Sequence, residues 1–182
     1  MAADRRLDGR VVAITGASRG FGAAVAELCA AEGAKLVLVA RTRGALEEVD
    51  DRVRRHGEEA TLVALDITDG KMVDTLGRAL FERFGRLDGL VGAAAELGPI
   101  TPVSHLEGKV LERVMAVNAL ANHRLIRSLD PLLRPSESGS GAGDESDGSG
   151  AGDESEGATA GDTEAVSGAG CLRQRGPAWC VR

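Results

Sequence analysis

Along the first 134 residues, short continuous apolar runs alternate with stretches in which apolar side chains recur every three to four positions. A bounded apolar run of about four to six residues reads as a strand buried on both faces. The wider spacing reads as a helix with one stripe turned to the core. Val11-Val12-Ala13-Ile14 is the first run, and a glycine-rich turn follows it. An alanine-rich helix is predicted over Ala23–Ala31, containing Val25, Leu28 and Cys29, with Gly33 past its end. Lys35–Ala40 (KLVLVA) is a second strand; Leu46, Val49 and Val53 space a second helix that stops near Gly57; Thr61–Leu65 is a third strand. Asp69 is placed to cap a third helix with Met72, Val73, Leu76, Leu80 and Phe84 on one face and Gly85 at its end. Leu87–Gly92 is a fourth strand, and a long helical pattern then runs over about 106–133 through Val110, Val114, Val117, Leu120, Leu125 and Leu129. Such alternation requires right-handed crossovers and predicts an α/β fold built on a doubly wound parallel sheet of about four strands.

The pattern stops at Pro135. Residues 135–182 are rich in Ser, Gly, Ala, Asp and Glu, with almost no large apolar side chain before Cys171-Leu172. Ser140–Gly148 (SGAGDESDG) recurs nine residues later as Ser149–Gly157 (SGAGDESEG). Nine-residue Gly/Asp repeats can build calcium-binding rolls, but each repeat then needs a large aliphatic residue to fill the roll. That residue is missing, so the repeat reads as a disordered acidic tail unable to bury enough surface to offset its chain entropy. The expected organisation is a domain over 1–134 and a low-complexity tail over 135–182. The closing CLRQRGPAWCVR is basic, holds the only tryptophan and has no clear structural reading.

Charge and cysteine usage narrow the partners. Residues 1–134 hold 19 basic and 19 acidic side chains, so the whole net charge of −6 lies in the tail. A neutral domain with an acidic tail has no long-range attraction for nucleic acid. No apolar run approaches the roughly 18 residues of a membrane span, and Met1–Arg10 lacks the apolar segment of a secretory leader. Cys29, Cys171 and Cys180 are too few for a disulfide scaffold and suit a reducing compartment. The expectation is a cytoplasmic protein with no membrane or nucleic-acid partner. No Cys/His cluster has metal-ligand spacing, so no metal is expected. Cys171 and Cys180, with eight residues between them in a loose tail, read as two free thiols.

The candidate chemistry begins at Thr15–Gly22 (TGASRGFG), where strand turns into helix. Glycines at 16, 20 and 22 permit positive φ and close approach of a diphosphate to the backbone. The following helix offers unpaired N–H groups and the positive end of its dipole. Ser18 and Arg19 can add side-chain donors. An acid about 20 residues beyond such glycines binds a ribose 2′-hydroxyl, whereas an arginine accommodates a 2′-phosphate. That place holds Arg41, with Arg43 nearby and no acid before Glu47. The cofactor expected is therefore NADP(H) in preference to NAD(H), against the simpler reading of Arg41 and Arg43 as solvated surface charges.

Together with Asp66-Ile67 after the third strand, Gly89–Ala95 (GLVGAAA) around the fourth, and Met115-Ala116-Val117-Asn118 in the long helix, this turn makes residues 8–134 resemble a short-chain dehydrogenase/reductase. The resemblance implies a Rossmann-like fold and carbonyl/alcohol hydride transfer. By that likeness Gly16, Ser18, Arg19, Gly20, Phe21 and Gly22 would wrap the pyrophosphate, Asp66 would bind the adenine amino group beside Ile67, and Ala93 and Ala94 would lie by the cofactor. Asn118 would match the family's helix asparagine, whose backbone carbonyl holds a water of the proton relay. Two departures stand out. Gly92-Ala93-Ala94-Ala95 replaces the family's Asn-Asn-Ala-Gly, which removes a hydrogen-bonding side chain next to the cofactor. The chain also has no tyrosine and no lysine after Lys109, whereas the family needs a serine, then a tyrosine and a lysine four residues apart. The repeat stands where these should fall, and Ala165–Ala169 only faintly resembles the serine-bearing strand. His105 and His123 read as surface histidines.

Three readings follow from this: an oxidoreductase by descent that is inactive alone, a non-catalytic NADP(H)-binding module or subunit, or a frameshifted fragment. The fourth strand would leave an exposed edge, and the helix over 106–133 would offer a surface for homo- or hetero-oligomers.

Overall fold

The computed structural model describes residues 5–134 and two short strands at 171–173 and 179–180. Strands β1 (Val11–Thr15), β2 (Lys35–Ala40), β3 (Thr61–Ala64) and β4 (Gly89–Gly92) are parallel and stand in the order β4-β1-β2-β3. Helices α1 (Gly20–Ala31) and α2 (Arg43–Val53) cover one face. Helix α3 (Gly70–Phe84) and the long helix that ends the domain cover the other. This is the Rossmann-like, doubly wound parallel arrangement that the alternating pattern predicts. After β3 the chain crosses back over the sheet to place β4 beside β1. The strand order reverses there, which opens a crevice at the carboxyl ends of these two strands.

The strands sort their side chains by parity. Val11, Ala13, Val37, Val39 and Val63 pack with Val73, Leu76 and Leu80 of α3 and with Leu125 and Leu129 of the last helix. Val12, Ile14, Leu36, Leu38 and Leu62 pack with Ala23, Ala26 and Ala30 of α1 and with Leu46, Val49 and Val53 of α2. Large strand residues thus meet an alanine face, which lets α1 lie close to the sheet. The predicted helix boundaries mostly stand. Asp69 caps α3 by accepting from the Met72 N–H (3.1 Å), and Gly85 ends it at φ 67°. A Cβ on Gly77 would lie 2.5 Å from Ser128 Oγ, so α3 and the last helix cross at a point with no room for a side chain.

Three features differ from the pattern. Helix α1 begins at Gly20 rather than Ala23, so two of the turn's glycines belong to its first turn. The long helix is α4 (Gly108–Met115) and α5 (Ala121–Leu133) joined by one π-helical turn, Ala116–Leu120, in which the Ala121 N–H reaches back to the Ala116 carbonyl. Finally, β5 (Cys171–Arg173) and β6 (Trp179–Cys180) extend the sheet past β3 as an antiparallel pair. Periodicity gave no hint of this pair, because its register on β3 is a long-range choice. The acidic repeat lies outside the described residues.

Candidate functional site

The crevice is lined first by the turn after β1. Gly16 has φ 65°, and a Cβ on it would lie 2.6 Å from the Ala94 nitrogen and 2.7 Å from the Ala93 carbonyl carbon. Both the conformation and the space exclude a side chain. Gly20 needs glycine for conformation alone, with φ 57° and open space around it. Gly22 needs it for space alone, since a Cβ would come within 2.4 Å of the Gly16 carbonyl oxygen. Buried Thr15 ties the turn to the exit of β4. Its Oγ1 donates to the Val91 carbonyl and accepts from the Ala94 N–H, both at 3.4 Å. The Ala17 N–H donates to the Val39 carbonyl (3.3 Å) and so fastens the turn to β2.

The start of α1 could take an anion. Arg19 occupies the N-cap in extended conformation, its side chain does not cap the helix, and the first turn holds no acid. The first amides of α1 therefore face outward with the positive dipole end and without a side-chain acceptor. A diphosphate fits this donor set and the side-chain-free surface of the turn. Ser18 is half-buried, and Arg19 and Phe21 are exposed beside it.

At the end of β2, Arg41 is exposed and makes no ion pair among the described residues. Arg43 instead pairs with Glu47 at 3.0 Å, one helical turn on. The two arginines are therefore not equivalent. Beyond β3, Asp66 Oδ1 accepts from the Thr68 N–H (2.9 Å) and the Thr68 hydroxyl (2.7 Å). These two bonds hold the Asp66 carboxyl below the usual aspartate range, with Arg41 and Arg113 adding favourable charge. Ile67 is buried and anchors this corner in the core. Arg124 from α5 donates to the Thr68 carbonyl (2.8 Å). Sequence reading missed Thr68, although an Asp followed two residues later by Thr is a recognisable local turn signal.

Asn118 lies in the π-helical turn, and its side chain grips the backbone beyond β4. Its Oδ1 accepts from the Glu96 N–H and its Nδ2 donates to the Glu96 carbonyl, each at 2.9 Å. The Asn118 carbonyl accepts from Asn122 Nδ2 at 2.8 Å. Asn122 also reaches the end of β4, where a Cβ on Gly92 would lie 2.9 Å from its Oδ1. Arg113 completes the cluster with a 2.9 Å bond from Nε to Glu96 Oε2. Glu96, Arg113 and Asn122 carry no motif and could not be found without the fold. His105 and His123 are both exposed.

Among the described residues, no helix is long and apolar enough to cross a membrane, and no group of three or more His, Cys, Asp or Glu could hold a metal.

Known proteins share this arrangement. The short chain dehydrogenase family matches residues 10–142. A fatty acyl-CoA reductase of Acinetobacter baylyi is 33% identical over 134 residues, covering 73% of this chain and 45% of that protein. A metagenomic short-chain oxidoreductase crystallised in complex with NADP superposes with a TM-score of 0.67 at 31% identity, over 70% of this chain and 57% of that one. NAD+-bound xylitol dehydrogenase gives the same TM-score at 27% identity, over 70% of this chain and 49% of that one. The chain spans about half the length of the relatives it matches. With the glycine turn at the switch point, the asparagine in the long helix and a family match over most of its length, the chain belongs to the short chain dehydrogenase family.

Proposed function

We propose that this chain binds NADP(H) in preference to NAD(H) and does not reduce carbonyls or oxidise alcohols by itself. In this reading Gly16, Ser18, Arg19, Gly20, Phe21 and Gly22 hold the pyrophosphate and Asp66 and Ile67 hold the adenine. Ala93, Ala94 and Asn118 line the nicotinamide side. The observation that carries the preference is Arg41: it ends β2 unpaired among the described residues, where an acid would repel a 2′-phosphate and a guanidinium would pair with it. Among the structural neighbours one holds NADP and another NAD+, so kinship alone leaves the choice open. Binding titrations of NADPH and NADH against the wild type and Arg41→Asp test it. The wild type should prefer NADPH at least tenfold and the variant should lose that preference; an unchanged ratio would defeat the assignment.

The second half of the proposal rests on the side chains available. The cofactor supplies a hydride when bound, but a carbonyl that accepts a hydride also needs a proton and a stabilised oxygen. General acid catalysis is typically worth about 10²–10⁴-fold. The family's tyrosine is absent from the whole chain, and its lysines are Lys35, Lys71 and Lys109 alone. NADPH oxidation with a carbonyl panel should therefore stay at background while NADPH binding is retained. A second reading, a cytoplasmic binding subunit that pairs through the long helix, is favoured by one observation. Leu111, Met115, Leu120 and Ile126 are exposed along α4, the π turn and α5. Sedimentation should then report a dimer or larger, and Leu111→Glu with Met115→Glu should return it to monomer.

A further inference from the structure

The corner beyond β3 is held from two sides. From within, residues 66–69 form a tight turn: the Asp69 N–H donates to the Asp66 carbonyl (3.1 Å), and buried Ile67 pins the turn to the core. The Thr68 N–H and hydroxyl both donate to one carboxylate oxygen, Asp66 Oδ1. Asp66 is exposed, and its Oδ2 accepts no hydrogen bond among the described residues. From outside, Arg124 Nη1 donates to the Thr68 carbonyl at 2.8 Å in a part-buried contact. The Arg124 stem lies by the start of α3, where a Cβ added to Gly70 would stand 3.8 Å from Arg124 Cδ. The backbone that carries it is fixed, because the next residue, Leu125, is buried in the core. The same stretch of helix grips the other flank of the crevice through Asn118 and Glu96.

We propose that Arg124, acting through Thr68, is a positioning residue that fixes the Asp66 carboxylate to select a purine with a 6-amino group over one with a 6-oxo group. The inference rests on the reading that Asp66 meets the base. An ionised carboxylate only accepts hydrogen bonds. With Oδ1 taken twice, Oδ2 is the oxygen left for a ligand. The Thr68 bonds also hold the carboxyl below the usual aspartate range, so that oxygen carries charge at neutral pH. The amino group of adenine donates to it. In hypoxanthine a carbonyl oxygen takes the place of that amino group, and the nearest donor is the ring N–H one position along the edge. A carboxylate free to swing would follow that N–H and bind both bases. One tethered at Oδ1 cannot follow without giving up the Thr68 bonds, and the Arg124 grip on Thr68 keeps the tether in place. Discrimination here is a difference between two ligands set by a rigid acceptor, not by an added contact to the base.

The test is a binding titration of the full chain with NADPH and with its deamino analogue, in which hypoxanthine replaces adenine. The wild type should bind NADPH roughly tenfold more tightly, the scale of one hydrogen bond to a charged group. Thr68→Val and Arg124→Met should each narrow that ratio to about twofold. Thr68→Ser and Arg124→Lys, which restore a donor, should keep it. Thr68→Val preserves the side chain's shape and Arg124→Met preserves the stem beside Gly70, so both variants should fold. In the free protein, the carbon NMR resonance of the Asp66 carboxyl should move in Thr68→Val and Arg124→Met and return in the two conservative variants. A wild-type ratio in Thr68→Val and Arg124→Met would overturn the positioning role. So would an equal loss of both nucleotides, which a merely structural role produces, or an unmoved carboxyl resonance. A wild type that binds the two nucleotides equally, or neither of them, would instead overturn the reading of Asp66 and the inference with it.

Discussion

The sector from β1 to β3 and the sector from β4 through α4 belong to one domain but are held differently. All of β1 and all but the first residue of β2 are buried, whereas β4 is half-exposed and α4 buries no residue at all. The first sector is secured by apolar packing on both faces. The second is secured by polar ties: Thr15 of β1 holds the exit of β4, and within the second sector Asn118 and Arg113 hold Glu96. Packing of the first kind withstands the loss of a partner on one edge, while ties of the second kind hold a loop only as long as each bond survives. The β1–β3 side of the crevice is therefore held by burial, and the other side by a few hydrogen bonds.

The largest expected effects separate the sectors directly. Ile14→Ala or Leu38→Ala should cost about 2–5 kcal/mol in denaturant unfolding, because each leaves a cavity in a fully buried site. Leu111→Ala, on exposed α4, should stay within about 0.5 kcal/mol. Similar losses at both places would erase the contrast. Gly16→Val comes next. It combines a positive φ with overlap on the Ala93–Ala94 backbone, so it should cost about 1–3 kcal/mol and abolish nucleotide binding measured by titration.

Asn118→Ala should cost about 1 kcal/mol and raise amide exchange at Glu96, since it removes two bonds from a partly exposed loop. Amide exchange at Ile14 should not change. The smallest effect is acid-dependent. The Asp66 carboxyl is held below its unfolded value, so its contribution is present above the unfolded aspartate pKa and is lost as pH falls through the folded one. Thr68→Val removes the hydroxyl bond, should raise the Asp66 pKa in an NMR titration, and should leave stability less dependent on pH at the acid end.

Legibility followed the same division. Val11–Ile14 and Lys35–Ala40 were readable as buried strands because continuous apolar runs state their own environment. Asp69 and Gly85 marked the ends of α3 because capping is chemistry among neighbours. The glycine turn was readable as a tight strand-to-helix turn, but only packing separated the conformational need at Gly20 from the spatial need at Gly22. Arg41 and Arg43 looked alike until Glu47 took the second.

By itself, then, the chain's own order of residues determined which segments up to residue 134 are strands and helices, where the glycine turn lies, and that the sequence holds no tyrosine. Each of these depends on residue type or on contacts within a few positions. Tertiary structure alone decided the grip of Asn118 on Glu96, the π turn that presents it, the tie from Thr15 to Ala94, and the facing of Cys171 and Cys180. Most of these join residues tens of positions apart, and the last depends on a strand register. Such contacts depend on how whole elements settle against each other, which no local pattern encodes.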